Sequence, residues 1–232
     1  NSYNTAVGAD AGIAVTTGVS NTLIGGLAGD ALTDADDNVA IGAAALSSDT
    51  LGSKSVALGY QTLRVQNFTT ATNTFNVAVG YQAGVAVTTG VRQTLIGGAA
   101  GDAITTAQDN VAVGYAALGA ETTGARNVAI GSLALLAQNI NDGSAVYNTA
   151  VGYAAGTAVT TGLANTIIGG NAGDALTDAD FNVAVGQGAL SADTLGSTSV
   201  AIGTAALNAQ NFTTATDSYN VAVGRSAGLS VT

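Results

Sequence analysis

Carboxylates are the most versatile chemical groups this chain offers. Asp30, Asp34, Asp36 and Asp37 lie close together, and Asp174, Asp178 and Asp180 echo them further along. Clustered hard oxygens suit calcium. An EF-hand, however, needs a Gly at the sixth loop position and a bidentate Glu at the twelfth, and neither is present. The nonapeptide calcium repeat is missing too, and the corresponding middle stretch carries Thr106, Ala107 and Gln108 instead. These acids read as solvated turn residues, and no metal is expected. Glycoside cleavage would need two carboxylates in divergent environments. Most acidic positions here recur at a fixed distance along the chain, whereas catalysis requires one asymmetric constellation. The single Glu, Glu121, sits beside Thr122 and Thr123 in a turn-like stretch. His, Cys, Met, Trp and Pro are all absent, which removes imidazole acid–base chemistry, thiol nucleophiles and soft-metal sites together. The expectation is a protein that is not an enzyme and holds no cofactor.

What positions these residues is a repeat. A unit of the form Asn-(Thr/Val)-(Ala/Leu/Ile)-(Val/Ile/Leu)-Gly occurs thirteen times, opening at Asn4, Asn21, Asn38, Ser55, Asn76, Gln93, Asn110, Asn127, Asn148, Asn165, Asn182, Ser199 and Asn220. Successive openings are 17, 17, 17 and 21 residues apart, so four coils make a super-repeat of 72 residues. The chain divides into super-repeats 4–75, 76–147 and 148–219 with a partial fourth, 220–232, and residues 1–232 read as one repetitive segment. Counting the opening residue as position 1, position 5 is always Gly, and position 8 is Ala in every coil but the one with Thr62. Position 9 runs Gly, Gly, Leu, Leu, as in Gly12, Gly29, Leu46 and Leu63.

A 17-residue period is too short for a helical repeat or a propeller blade, and a β-branched run closed by Gly reads as a short strand and a turn. Two short strands and two turns fit each coil. Stacking pairs each strand with its counterpart one coil away, about 4.8 Å on, and satisfies the backbone between coils. Thirteen coils would then make a rod of roughly 55–60 Å. The fold class is all-β, a parallel β-roll or β-solenoid. The Gly at position 5 supplies either a left-handed conformation or room for a close neighbour. Alternation places positions 2 and 4 on one face and position 3 on the other. The bulkier Val/Ile face is expected inside the coil, leaving the Ala face for another layer or subunit.

Three surface features remain. Thr recurs at position 13 of every short coil, from Thr16, Thr33 and Thr50 to Thr194. This ladder suits turn capping, and it also admits an ice-binding reading that the long coils interrupt. Aromatics flank the motif, just before it at Tyr3, Phe75, Tyr147, Phe181 and Tyr219, or just after its Gly at Tyr60, Tyr81, Tyr115 and Tyr153. They suit a seam or subunit interface, or a glycan-binding strip. The long fourth coils carry the insertions, expected to protrude as a row of loops. Phe68, Thr69, Thr70, Asn141, Asp142, Phe212, Thr213 and Thr214 are the candidate contact residues.

Composition agrees with a thin-cored repeat. Hydrophobic residues reach 47%, yet aromatics are only 5% and charged residues 9%, where roughly 25% charged is usual. Fifteen acidic against five basic residues give a net charge of −10, the wrong sign for nucleic acid or an anionic membrane. No apolar run is long enough to cross a bilayer as a helix. Residue 1 is not Met, and a segment of a longer fibre is expected, with any signal peptide, anchor or tip outside it.

The units Asn38-Val39-Ala40-Ile41-Gly42, Ser55-Val56-Ala57-Leu58-Gly59, Asn127-Val128-Ala129-Ile130-Gly131 and Ser199-Val200-Ala201-Ile202-Gly203 resemble the YadA-like head repeats of trimeric autotransporter adhesins. That resemblance implies a homotrimer of left-handed parallel β-rolls. The stretch from Tyr147 to Gly156, followed by Thr160-Thr161-Gly162, is similar to repeats of bacteriophage tail-fibre proteins. The function these imply is a structural or adhesive extracellular fibre on a cell surface or virion, associating with itself and with a host glycan or protein receptor. A monomeric solenoid filament or an ice-binding protein using the Thr ladder is the alternative.

Overall fold

The three-residue strand in each coil is short because positively twisted corners bound it on both sides. The residue closing each coil is left-handed, as at Asp37 (φ 59°) and Tyr147 (φ 60°), and so is position 7, as at Leu27 (φ 59°). The computed structural model describes residues 2–231, which divide into two compact units between Asn110 and Val111. Among the described residues all regular structure is β-strand.

In the first unit the strands are Thr5–Val7, Thr22–Ile24, Val39–Ile41, Val56–Leu58, Val77–Val79 and Thr94–Ile96. Each pairs in parallel with the next, position on position: Thr5 with Thr22, Thr22 with Val39, Val39 with Val56. The second unit repeats this with Val111–Val113, Val128–Ile130, Thr149–Val151, Thr166–Ile168, Val183–Val185, Val200–Ile202 and Val221–Val223. The chain is a β-solenoid of thirteen such turns. The expected second strand is much reduced. It is a two-residue pair at the first and third long coils, Gly52–Ser53 with Thr72–Asn73 and Gly196–Ser197 with Thr216–Asp217, and a single bridge at the middle long coil, Ala125 with Ala145, as also between Val91 and Gln108.

The inward and outward faces are the reverse of the sequence expectation. Position 3 is buried, from Leu23, Ala40 and Ala57 to Ala201. Position 4 lies on the outer face, exposed at Ile24 (36%), Leu58 (38%) and Ile96 (39%) and half-buried at Ile41 and Val79. The cause is volume. The coil interior must also hold positions 8, 9 and 12, and two layers of Val and Ile would overfill it.

The same limit explains the alternation at position 9. Gly29 and Leu46 share the left-handed conformation, at φ 55° and 53°, so conformation does not select Gly there. Space does. A Cβ on Gly29 would lie 2.8 Å from side-chain carbons of both Leu23 and Leu32. Where position 9 is Gly, position 12 is apolar and fills the gap, as with Leu32, Val87, Ile104 and Leu176. Where position 9 is Leu, position 12 is polar: Asp49, Gln66, Glu121, Gln138, Asp193 and Gln210, all buried.

At position 5 both reasons for Gly hold at once. Gly25 has φ 133°, and a Cβ there would sit 2.6 Å from the carbonyl oxygen of Gly42 in the next coil.

Buried Asn side chains close the coils. The Nδ2 of Asn21 donates to the carbonyl of Ala35 at 2.7 Å, spanning the open side of its own coil, and its Oδ1 accepts from the backbone N–H of Asn38 at 3.0 Å. Asn38, Asn165 and Asn182 repeat the arrangement. The ladder therefore joins coil to coil through amide-to-backbone bonds, each satisfying a buried polar group.

Candidate functional site

Each loop of a long coil is fastened from below by the buried carboxylate at position 12 of the preceding coil. Asp49 Oδ1 accepts from the backbone N–H of Gly52 and of Phe68, both at 3.0 Å, and its Oδ2 accepts from Gln66 Nε2 at 2.5 Å. Gln66 in turn donates to the Ser55 hydroxyl at 2.9 Å and accepts from Asn76 Nδ2 at 2.8 Å. Asp193, Gln210 and Ser199 reproduce this set. In the middle block the acid is Glu121, whose Oε1 accepts from the backbone N–H groups of Thr122, Thr123, Gly124 and Ile140 while Gln138 donates to Oε2 at 2.8 Å. A buried carboxylate is tolerable only with such partners.

Glu121 is thus an interior anchor rather than a turn residue. Sequence reasoning missed the carboxylate–amide pairs. The signal available was the switch of position 12 from apolar to polar whenever position 9 changes from Gly to Leu.

The contact residues separate into two groups. Thr69, Thr70, Asn141, Asp142, Thr213 and Thr214 are exposed. Phe68, expected to protrude, is 6% exposed, and Ile140 at the same place in the middle block is buried as well. Phe212 is half-buried, and a Cβ on Gly196 would come within 2.7 Å of its ring. Each of the three donates its own backbone N–H to the buried carboxylate, which draws an apolar side chain down beside the polar pair, where water would otherwise compete. In the middle loop Asp142 Oδ1 accepts from Ser144 N–H at 2.9 Å, and its bonding to Ser144 holds its carboxyl below the ordinary range.

The turn acids are engaged between coils. Asp34 accepts from the Thr17 hydroxyl at 2.5 Å, Asp36 from Val19 N–H at 2.8 Å, and Asp178 and Asp180 repeat both bonds. Among the described residues no three acidic side chains converge as a metal site would require. The Thr ladder is engaged too: Thr16 and Thr33 donate to the carbonyls of Thr33 and Thr50, each at 3.1 Å.

Aromatic residues line two outer corners, on either side of the exposed strand face. Tyr60 and Tyr81, on adjacent coils, stack with centroids 5.5 Å apart and planes 14° from parallel. At the closing corner, Lys54 lies over the Phe75 ring and Arg126 over the Tyr147 ring, each 5.6 Å from the centroid, and Arg92 pairs with Asp109.

Among the described residues no helix is long and apolar enough to cross a membrane. Comparison with protein-family models, curated proteins and solved structures gives no match to this chain.

Proposed function

We propose that this chain is a structural and adhesive segment of an extracellular fibre, a stiff shaft or head on a cell surface or virion, in which three copies of a left-handed roll associate. The observation that carries the reading is the outer strand face. In each unit positions 2 and 4 present an unbroken column of Val, Thr, Ile and Leu, with Ile24, Leu58 and Ile96 in the first and Ile130, Ile168 and Ile202 in the second all exposed. Monomeric soluble proteins seldom leave a contiguous apolar surface of this kind uncovered, and closing identical faces around one axis buries it on every copy. Regular pairing from coil to coil supplies the stiffness. The exposed loop residues Thr69, Thr70, Asn141, Asp142, Thr213 and Thr214 are the places for a host glycan or protein receptor to touch.

Light scattering on a sizing column at two protein concentrations tests this. The expected result is a concentration-independent mass near three times 22.3 kDa, reduced to one copy by Ile96→Asp with Ile130→Asp while the β-sheet circular dichroism persists. A monomeric parent protein would overturn the trimer and favour a single-chain filament. The ice-binding reading is the weaker alternative, because the Thr hydroxyl donors already bond the next coil's carbonyls.

A further inference from the structure

The closing corner of the second unit carries a regular comb. On successive coils its closing residues are Arg126, Tyr147, Ala164, Phe181, Thr198 and Tyr219, and all six share the left-handed conformation, with φ between 51° and 64°. Neighbouring corners are hydrogen-bonded in sequence: Ala164 N–H to Val146 carbonyl at 2.9 Å, Phe181 to Leu163 at 3.0 Å and Thr198 to Asp180 at 2.9 Å. One backbone conformation on one ladder sends these side chains out in a common direction. The aromatics are 56%, 61% and 72% exposed at Tyr147, Phe181 and Tyr219, and a small residue separates each from the next.

Alternate coils lie about 10 Å apart, twice the strand spacing. The Tyr60 and Tyr81 rings, on adjacent coils, occupy each other's faces; rings on alternate coils cannot. Arg126 covers one face of Tyr147 and leaves the other turned toward Ala164. Two gaps result, one between Tyr147 and Phe181 above Ala164, the other between Phe181 and Tyr219 above Thr198.

A planar aromatic ligand sandwiched between two rings needs only about 7 Å, twice the carbon contact distance of roughly 3.5 Å. A puckered saturated ring with C–H bonds projecting from both faces is thicker and suits the wider gap. Ring hydroxyls would find an acceptor alongside in Asp217, which accepts from the Tyr219 hydroxyl at 3.4 Å. The net charge of −10 repels acidic sugars.

We propose that this comb is a glycan-binding site taking two pyranose rings of a neutral polysaccharide, one in each gap. It rests on the closing-corner row alone and does not depend on how many copies associate.

Isothermal titration with cellohexaose, chitohexaose and hexagalacturonate tests the assignment. At least one neutral hexasaccharide should bind, with hexagalacturonate at least tenfold weaker. Phe181→Ser, which removes a wall from both gaps, should lower affinity at least tenfold. Ala164→Leu fills the first gap and should weaken binding about as much, whereas Tyr81→Ser should leave it unchanged. Absence of binding by both neutral hexasaccharides at millimolar concentration would overturn the proposal, as would affinity indifferent to both Phe181→Ser and Ala164→Leu. A fall in assembly mass on Phe181→Ser, with the fold retained by circular dichroism, would make the comb a subunit contact and overturn it also.

Discussion

Gln66 lies one coil beyond Asp49, and its Nε2 donates to the buried Asp49 carboxylate at 2.5 Å. Glu121 with Gln138 and Asp193 with Gln210 hold the same relationship. The pair ties the inserted residues of a long coil to the regular coil before it, so the loop is as well supported at its base as any other turn. Replacing Asp49 with Ala leaves the N–H groups of Gly52 and Phe68 without their acceptor and the Gln66 amide with the Ser55 hydroxyl alone. Loss of about 3–5 kcal/mol of unfolding free energy is expected in urea titration. Asp49→Asn, which keeps one acceptor oxygen, should cost about half as much.

Position-5 glycines differ sharply from the position-6 glycines that follow them. Gly25→Ala places a methyl group 2.6 Å from the Gly42 carbonyl oxygen in a conformation unfavourable to Ala. It should cost more than about 3 kcal/mol or prevent folding. Gly170→Ala meets nothing within 4 Å, and its unfolding free energy should stay within about 0.5 kcal/mol of the parent.

Asn38→Ala removes the side chain that accepts from Ser55 N–H at 2.8 Å and donates to the Gly52 carbonyl at 2.9 Å. Two buried backbone groups lose their partners, which should cost about 2–4 kcal/mol. Hydrogen exchange at Ser55 N–H should accelerate more than at Val128 N–H, which lies in the other unit. Equal acceleration at both amides would show that the ladder acts globally rather than coil by coil.

Burial pushes the Asp102 carboxyl above its ordinary value of 3.8, against a smaller opposing pull from a backbone hydrogen bond. The folded state therefore holds this proton more tightly than the unfolded chain. Its contribution to stability is full below the unfolded value and is lost as pH rises through the folded one. Asp102→Asn should accordingly raise stability at pH 7, by a margin that partial exposure keeps small. Thermal unfolding at pH 3 should show little or no gain, and a larger gain at pH 3 than at pH 7 would contradict the assignment.

Phe68→Ser exposes the polar pair beneath the loop and should lower stability by about 3 kcal/mol, near the cost of truncating a buried aromatic. The half-buried Phe212 should lose less when changed to Ser. Urea unfolding of the two variants compares them directly, and equal losses would mean that cover of the carboxylate is not what Phe68 supplies.

The sequence by itself determined the coil. Openings 17 and 21 residues apart can be satisfied at once only by stacking like on like, and the observed register places Thr5 on Thr22 and Val39 on Val56. The need for Gly at position 5 was equally legible, because no larger residue occurs there in any coil. Alternation in Val-Ala-Ile showed that the two strand faces differ, but a period of two carries no sign for inside and outside. That choice fell to tertiary packing: the interior already holds Ala45 and Leu46 and has room only for Ala40, so Val39 and Ile41 turn outward. The same packing drew Phe68 down onto Asp49. A local string of Asn, Phe and Thr resembles any exposed loop, and only the coil beneath supplies the buried carboxylate that makes covering it favourable.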